Sequence, residues 1–314
     1  MNKKMKAVVL DKSTLGNIDF PKELLELADW DFLETTESHE VASIIKNKEI
    51  VLTNKVVLGK EELSDSNVKY IGVLATGTNN IDLDYCKKNN IVVKNAFGYS
   101  TDSVAQHTFS MLFSFLSKSH YFDAFVKESE YANCPIFTHF GFEFSEIKGK
   151  VWGIIGMGAI GRKVAEIASV FGVEIVYYSS SNLDREHTYS RLSLDELAQK
   201  CDFISIHAPL NEKTSNLVNI SFLEKMKPSA ILLNLGRGGI VNEEDLIQAL
   251  NQNMLLGACL DVFESEPFDF KEKYKALKDK NKLLLSPHIA WASVEARKTL
   301  LQITLENLTS WTNK

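Results

Sequence analysis

Three residues in the last third of this 314-residue chain are of the types that reduction of a 2-keto acid requires: an arginine, a carboxylate and a histidine. Arg237 stands in NLGRGGIVNEEDL, Glu266 in LDVFESEP and His288 in LLLSPHIAW. The guanidinium fork can hold a substrate carboxylate and polarise the keto oxygen. An imidazole can give that oxygen a proton as hydride arrives at the carbon. A carboxylate bonded to the other ring nitrogen fixes the histidine tautomer. Taken singly, each has a blander reading as a loop arginine, a solvated turn acid beside Pro267, or a loop histidine after Pro287. Their succession after three strand-like runs, where open α/β sheets bind ligands, points to chemistry.

A source of hydride is written upstream. The stretch KGKVWGIIGMGAIGRKVAEIASVFGVEIVYYSSS carries Gly156, Gly158 and Gly161 as G-x-G-x-x-G. The pattern alone is weak, but a buried strand runs into it, a helix leaves it and a second strand follows. Gly156 then permits the tight turn, Gly158 lets a pyrophosphate approach the backbone, and Gly161 lets helix and strand pack. The helix N-terminus offers free N–H groups and a favourable dipole to the phosphates. An acid about 20 residues on should grip the ribose of NAD, yet the chain has Ser179, Ser180 and Ser181 there. The nearest arginine in sequence is Arg185. The coenzyme is therefore NAD or NADP, with tolerance of NADP expected.

The elements that must position these groups are legible as short β-branched runs alternating with helical patterns, which predict parallel sheets. In the first hundred residues strands are expected at Lys6–Leu10, Glu49–Thr53, Lys69–Leu74 and Ile91–Lys94. Helices are expected at Lys22–Leu27, Val41–Lys46 and Leu83–Lys88, then one long helix over Ser103–Ser119. A second series of six strands follows at Val151–Ile155, Glu174–Tyr178, Phe203–His207, Ala230–Asn234, Leu256–Leu260 and Lys282–Leu285. With spacers such as Ile160–Phe171 and Glu243–Asn251, it matches a doubly wound nucleotide-binding sheet. The tail from Ala292 to Trp311 has one apolar helical face. If it packs on the N-terminal part, the domains are 1–100 with 290–314, and an inserted 101–289.

Composition narrows the function classes. A net charge of −6 argues against a nucleic-acid partner, which would want a basic face. No stretch approaches the roughly 18 apolar residues of a membrane helix. The start MNKKMKAVVLD falls short of the at least about seven apolar residues of a secretory segment. Cys86, Cys134, Cys201 and Cys259 form no CxxC, no residue set has metal-ligand spacing, and a cytoplasmic location is expected. Of the remaining histidines, His39, His107, His120, His139 and His187 show no partner pattern and read as structural or exposed. Trp291 is either core or a pocket wall. The Phe-rich stretch Phe109–Phe122, continued by Phe125, reads as a buried helix or a dimer face.

The chain resembles the D-isomer-specific 2-hydroxyacid dehydrogenase family. The likeness is carried by VLATGTNNID, GYSTDSVAQHTFSMLFS, GMGAIG, CDFISIHAPLNEKT, FLEKMKPSAILLNLGRGGIVNE and GACLDVFESEP, in that order. TNKVVL, GYSTDSVAQ and HIAWAS most resemble its glycerate dehydrogenase (hydroxypyruvate reductase) branch. The resemblance implies two Rossmann-like or flavodoxin-like α/β domains, the first binding substrate and the inserted one NAD(P), with the active site in the cleft between them. It makes His288 the acid/base, Glu266 its partner and Arg237 the substrate anchor, which also meets the coenzyme. It puts the backbone of Ala75, Thr76 and Gly77 on the substrate carboxylate. It sets Gly156, Met157, Gly158, Ala159, Ile160 and Gly161 at the pyrophosphate, and Ser179 at the ribose. His207, Pro209 and Thr214 fall along the adenosine half, with Leu235 and Asp261 near the nicotinamide amide. A homodimer acting on a small 2-keto or 2-hydroxy acid is implied, without metal. Ser179, Gln106 and Leu235-Gly236 depart from the family pattern. A dinucleotide-sensing corepressor on the same fold is the rival reading. Formate oxidation would want longer N-terminal elements.

Overall fold

The computed structural model describes residues 4–181 and 188–313, so Arg185 and His187 lie outside the described residues. The first elements are β1 (Lys6–Val9), α1 (Lys22–Glu26), β2 (Asp29–Phe32), α2 (Val41–Ile45), β3 (Ile50–Thr53), α3 (Lys60–Leu63), β4 (Tyr70–Val73), α4 (Leu83–Lys88) and β5 (Val92–Asn95). There follow α5 (Thr101–Ser117), α6 (Ser119–Lys127), β6 (Val151–Ile155), α7 (Ala159–Val170), β7 (Glu174–Tyr178), β8 (Ser190–Arg191), α8 (Leu194–Lys200) and β9 (Phe203–Ile206). Then come α9 (Ile220–Leu223), β10 (Ile231–Asn234), α10 (Glu243–Asn251), β11 (Gly257–Leu260), α11 (Phe270–Lys273), β12 (Leu283–Leu285) and α12 (Val294–Thr312). They fall into two compact units, Met1–Ser100 with Trp291–Lys314, and Thr101–Ala290. Ala290, grouped with the N-terminal part in the sequence reading, falls in the second unit. No helix of the described residues is long and apolar enough to cross a membrane.

The first unit is a five-stranded parallel sheet in the order β2-β1-β3-β4-β5, the flavodoxin-like winding. Alternate side chains of one strand enter two separate cores, as the period of two requires. Ala7 and Val9 pack with Leu300, Leu301 and Leu308 of α12, whereas Val8 and Leu10 pack with Val41, Ile45 and Leu63. Trp291 belongs to the α12 side, edge-on to Tyr99. The edge strand β2, DWDF, is not expected from the sequence, because its buried face is too slight to leave an apolar run.

The second unit is a seven-stranded parallel sheet in the order β12-β11-β10-β9-β6-β7-β8. Reversal of strand order at β6 creates the switch point where doubly wound sheets bind ligands. β8, only two residues long, is an element beyond the six expected. The one long helix expected to reach Ser119 is a correction. α5 buries Val104, Phe109, Met111, Leu112 and Phe115, then ends where Lys118 turns left-handed at φ 47°. After that break α6 buries no residue, so Phe122 and Phe125 are not part of a buried helix.

Candidate active site

The glycine loop sits at the switch point. Gly156 has φ +98°, and a Cβ there would lie 2.7 Å from the backbone N of Ala208, just past β9. A Cβ on Gly161 would stand 2.3 Å from the Gly156 carbonyl oxygen. Both glycines are thus required by the protein's own packing. Gly158 differs: it precedes α7, and nothing lies within 4 Å of the position its Cβ would take. The protein leaves space against an exposed backbone at the start of a 12-residue helix with no acid in its first turn. Met157 is buried, so it can offer only backbone there, while Ala159 is exposed and Ile160 half-buried.

Around this loop the expected coenzyme residues take distinct positions. His207, just past β9, bonds through Nε2 to Ser205 Oγ at 3.0 Å, and Trp152 donates to the same oxygen at 2.9 Å. Burial pushes the His207 imidazole down to about 3, so the ring is neutral at ordinary pH. Its Nδ1 is buried without a partner among the described residues, a polar atom left for a ligand. Thr214 donates to the Pro209 carbonyl at 2.6 Å and accepts from Asn211 N at 2.8 Å, so its hydroxyl shapes the loop that carries Pro209. Ser179 is buried at the end of β7, 3.2 Å from the Ser181 hydroxyl. β8 pairs in parallel with β7 and brings Arg191 there, with Nη2 3.4 Å from the Ser179 carbonyl. An arginine therefore does stand at this strand end, which no local pattern announced. An open cradle, a helix start suited to anions and an orphaned ring nitrogen fit a dinucleotide.

The three chemistry-bearing side chains leave one rung of the sheet. Asn234, Leu260 and Leu285 are successive register partners on β10, β11 and β12. Arg237 follows the first by three residues, Glu266 the second by six and His288 the third by three. The Asn234 side chain folds its turn, accepting from Gly236 N at 3.1 Å and donating to the Arg237 carbonyl at 2.9 Å. Leu235 inside this turn is buried. Arg237 donates from Nη1 to the Gly236 carbonyl at 2.8 Å. At Gly238 a Cβ would fall 1.8 Å from the Phe263 carbonyl oxygen, so the Arg237 loop lies directly against the loop that carries Glu266.

Glu266 accepts from Phe263 N at 2.8 Å with one carboxylate oxygen and meets His288 Nδ1 at 2.7 Å with the other. A carboxylate can only accept here, so Nδ1 carries the hydrogen and Nε2 is left for chemistry. His288 has φ +53°, a left-handed conformation that costs roughly 1–2 kcal/mol for a residue with a Cβ. The loop is held in it by His288 N donating to the Asp261 carbonyl at 2.8 Å. The Asp261 carboxylate, buried below the loop, accepts from Ser286 Oγ at 2.6 Å and from the Ile289 and Ala290 amides, each at 2.9 Å. Sequence reasoning set Asp261 beside a nicotinamide; what its contacts show is the scaffold of the histidine loop. His107, with no partner pattern in sequence, has partners here: Nε2 lies 2.9 Å from Ser286 Oγ and 3.7 Å from Asp261.

In the first unit, the turn after β4 contains Ala75, Thr76 and Gly77. Ala96 N donates to the Ala75 carbonyl at 3.1 Å, Asn95 Nδ2 to the Thr76 carbonyl at 2.6 Å and the Thr76 hydroxyl to the Ala96 carbonyl at 3.0 Å. The bonds that shape this turn use its carbonyls and hydroxyl rather than its amides.

Known proteins share this architecture. The family profile described as D-isomer specific 2-hydroxyacid dehydrogenase, NAD binding domain, matches residues 109–290. The chain is 35% identical over 311 residues to a hydroxypyruvate reductase of Blautia hydrogenotrophica, covering 97% of this chain and 96% of that one. It is 30% identical over 310 residues to a glycerate dehydrogenase of Methylorubrum extorquens, covering 96% and 95%. A solved acyclic imino acid reductase in complex with NADPH and D-Arg matches with a TM-score of 0.84 at 28% identity, covering 98% of this chain and 97% of that one. Profile and relatives together make this chain a member of the D-isomer-specific 2-hydroxyacid dehydrogenase family, NAD(P)-dependent oxidoreductases.

Proposed function

We propose that the chain reduces hydroxypyruvate and glyoxylate to D-glycerate and glycolate. The carrying observation is the 2.7 Å contact of His288 with Glu266, on loops that leave the same sheet rung as the Arg237 turn. The coenzyme, when bound, supplies the hydride. Gly156–Gly161 and the start of α7 hold its pyrophosphate, with Ser179 at the ribose, His207, Pro209 and Thr214 along the adenosine half, and Leu235, Arg237 and Asp261 toward the nicotinamide. Arg237 holds the substrate carboxylate, the group to which the family resemblance also assigns the backbone of Ala75, Thr76 and Gly77 in the first unit. His288 Nε2 gives its proton to the keto oxygen, and Glu266 keeps Nδ1 protonated so that the ring presents that nitrogen. Ser179, Ser181 and Arg191 favour use of NADPH, since hydroxyls and a guanidinium suit a 2′-phosphate.

Two further readings accompany this one. Phe137, Phe140 and Phe144, in the segment after α6, are largely exposed, which suits burial in a homodimer. Three buried free thiols, Cys86, Cys201 and Cys259, suit a reducing cytoplasm. The test is steady-state oxidation of NADPH and NADH with hydroxypyruvate, glyoxylate and pyruvate, with product chirality determined. Turnover of the first two to the D-product is expected. Tight coenzyme binding without turnover of any of them would replace the enzyme reading with a sensor.

A further inference from the structure

Resting on the reading of His288 as the acid/base, we propose that His107 is a positioning residue that acts on it through Ser286 and Asp261. The Ser286 hydroxyl has a single hydrogen. It lies 2.6 Å from the Asp261 carboxylate, a much stronger acceptor than the Met111 sulfur at 3.6 Å. With that hydrogen committed to Asp261, Ser286 Oγ can only accept from His107 Nε2 at 2.9 Å. The direction of the chain is thereby fixed: His107 donates to Ser286, which donates to Asp261.

Asp261 is the hub on which the His288 loop hangs. Its carbonyl receives His288 N, and its carboxylate receives Ile289 N and Ala290 N. α5 holds the same loop at a second point, one helical turn before His107, where the Ser103 hydroxyl donates to the Ala290 carbonyl at 2.6 Å. A left-handed histidine backbone persists only where its surroundings over-determine it, and these bonds do so. Without the His107 donor, Ser286 can rotate and offer its hydrogen elsewhere. The carboxylate then loses a partner, and the loop gains freedom to place Nε2 wrongly. Because a displacement of about 1 Å can cost on the order of a hundredfold in rate, the effect falls on turnover rather than binding.

Four variants test this. His107→Ala should lower kcat by roughly ten- to a hundredfold, while the Kd for NADPH and the KM for hydroxypyruvate stay within about threefold. His107→Gln, whose amide N–H can take the place of Nε2–H, should recover most of the loss. Ser286→Ala should fall at least as far as His107→Ala, and the double variant no further, because both remove one chain of bonds. Amide exchange of the segment 286–290 should accelerate in His107→Ala. A kcat within about twofold of wild type with unchanged exchange overturns the proposal. Additive losses in the double variant, or equal losses of NADPH binding in the Ala and Gln variants, overturn it in favour of a merely structural residue. The acid/base reading fails separately, if His288→Ala turns over as fast as wild type; the exchange measurement then still decides the clamp.

Discussion

A histidine that must release a proton from one ring nitrogen needs the other nitrogen held. Here Glu266 holds Nδ1 at 2.7 Å and is itself fixed by Phe263 N. His288→Ala should lower keto-acid reduction by about 10²–10⁴-fold, the usual worth of a positioned general acid, with NADPH affinity little changed. Steady-state kinetics alongside fluorescence titration of the coenzyme measure both; near-normal turnover would remove His288 from the mechanism. At the coenzyme end, a carboxylate introduced beside Arg191 should shift coenzyme use toward NADH. Ser179→Asp should lower kcat/KM with NADPH by at least about tenfold and leave NADH equal or better, because the 2′-phosphate would then face a like charge. A preference that does not move toward NADH means that Ser179 is not at the ribose.

At the scale of elements, the strand-to-helix turn separates two uses of glycine. Gly156 and Gly161 sit where a Cβ would strike backbone atoms at 2.7 and 2.3 Å, so their replacement disturbs the fold itself. Gly158 has an ordinary φ of −83° and open space around it, so only a ligand would object to a methyl group there. Gly158→Ala should therefore keep the melting temperature within about 2 °C of wild type. It should also weaken binding of NADPH and NADH by at least about tenfold, or 1.4 kcal/mol. Calorimetry for stability and for binding reads the two effects separately. Unchanged affinity would put the pyrophosphate elsewhere.

Two properties belong to the whole molecule. Phe137 and Phe140 are 89% and 81% exposed, and His139 between them in sequence stacks on Phe125 at 3.8 Å. If this surface joins two copies, Phe140→Asp should shift the mass measured by light scattering from dimer toward monomer; a wild type that is monomeric at micromolar concentration refutes the assignment. Stability should also carry a signature of His207, whose folded-state value burial lowers from 6.5 to about 3. Below pH 6.5 the unfolded chain takes up a proton that the folded chain refuses until about pH 3. Stability then falls as pH drops through that window. His207→Gln, which does not titrate, should lose less melting temperature between pH 7 and pH 5 than wild type. Equal losses would mean that the ring is protonated in the folded protein.

What the sequence by itself determined is what local chemistry encodes. The β-branched runs, the glycine spacing at 156–161 and the helical periodicity of α7 are each confined to one stretch of chain, and the expected strands and α7 stand in the structure to within one residue at their ends. The order of Arg237, Glu266 and His288 was equally legible, because each stands in the loop that follows a strand. Their convergence was decided by tertiary structure: the order β12-β11-β10 aligns Asn234, Leu260 and Leu285 on one rung, and burial of both sheet faces, not any local motif, selects strand neighbours. The same holds for Arg191, delivered to Ser179 by a two-residue strand too short to leave a pattern. It holds most for His107, whose partner Ser286 lies 179 residues along the chain. A hydrogen bond between such distant residues depends on how α5 packs against the end of the sheet, and the residues on either side of His107 carry no trace of it.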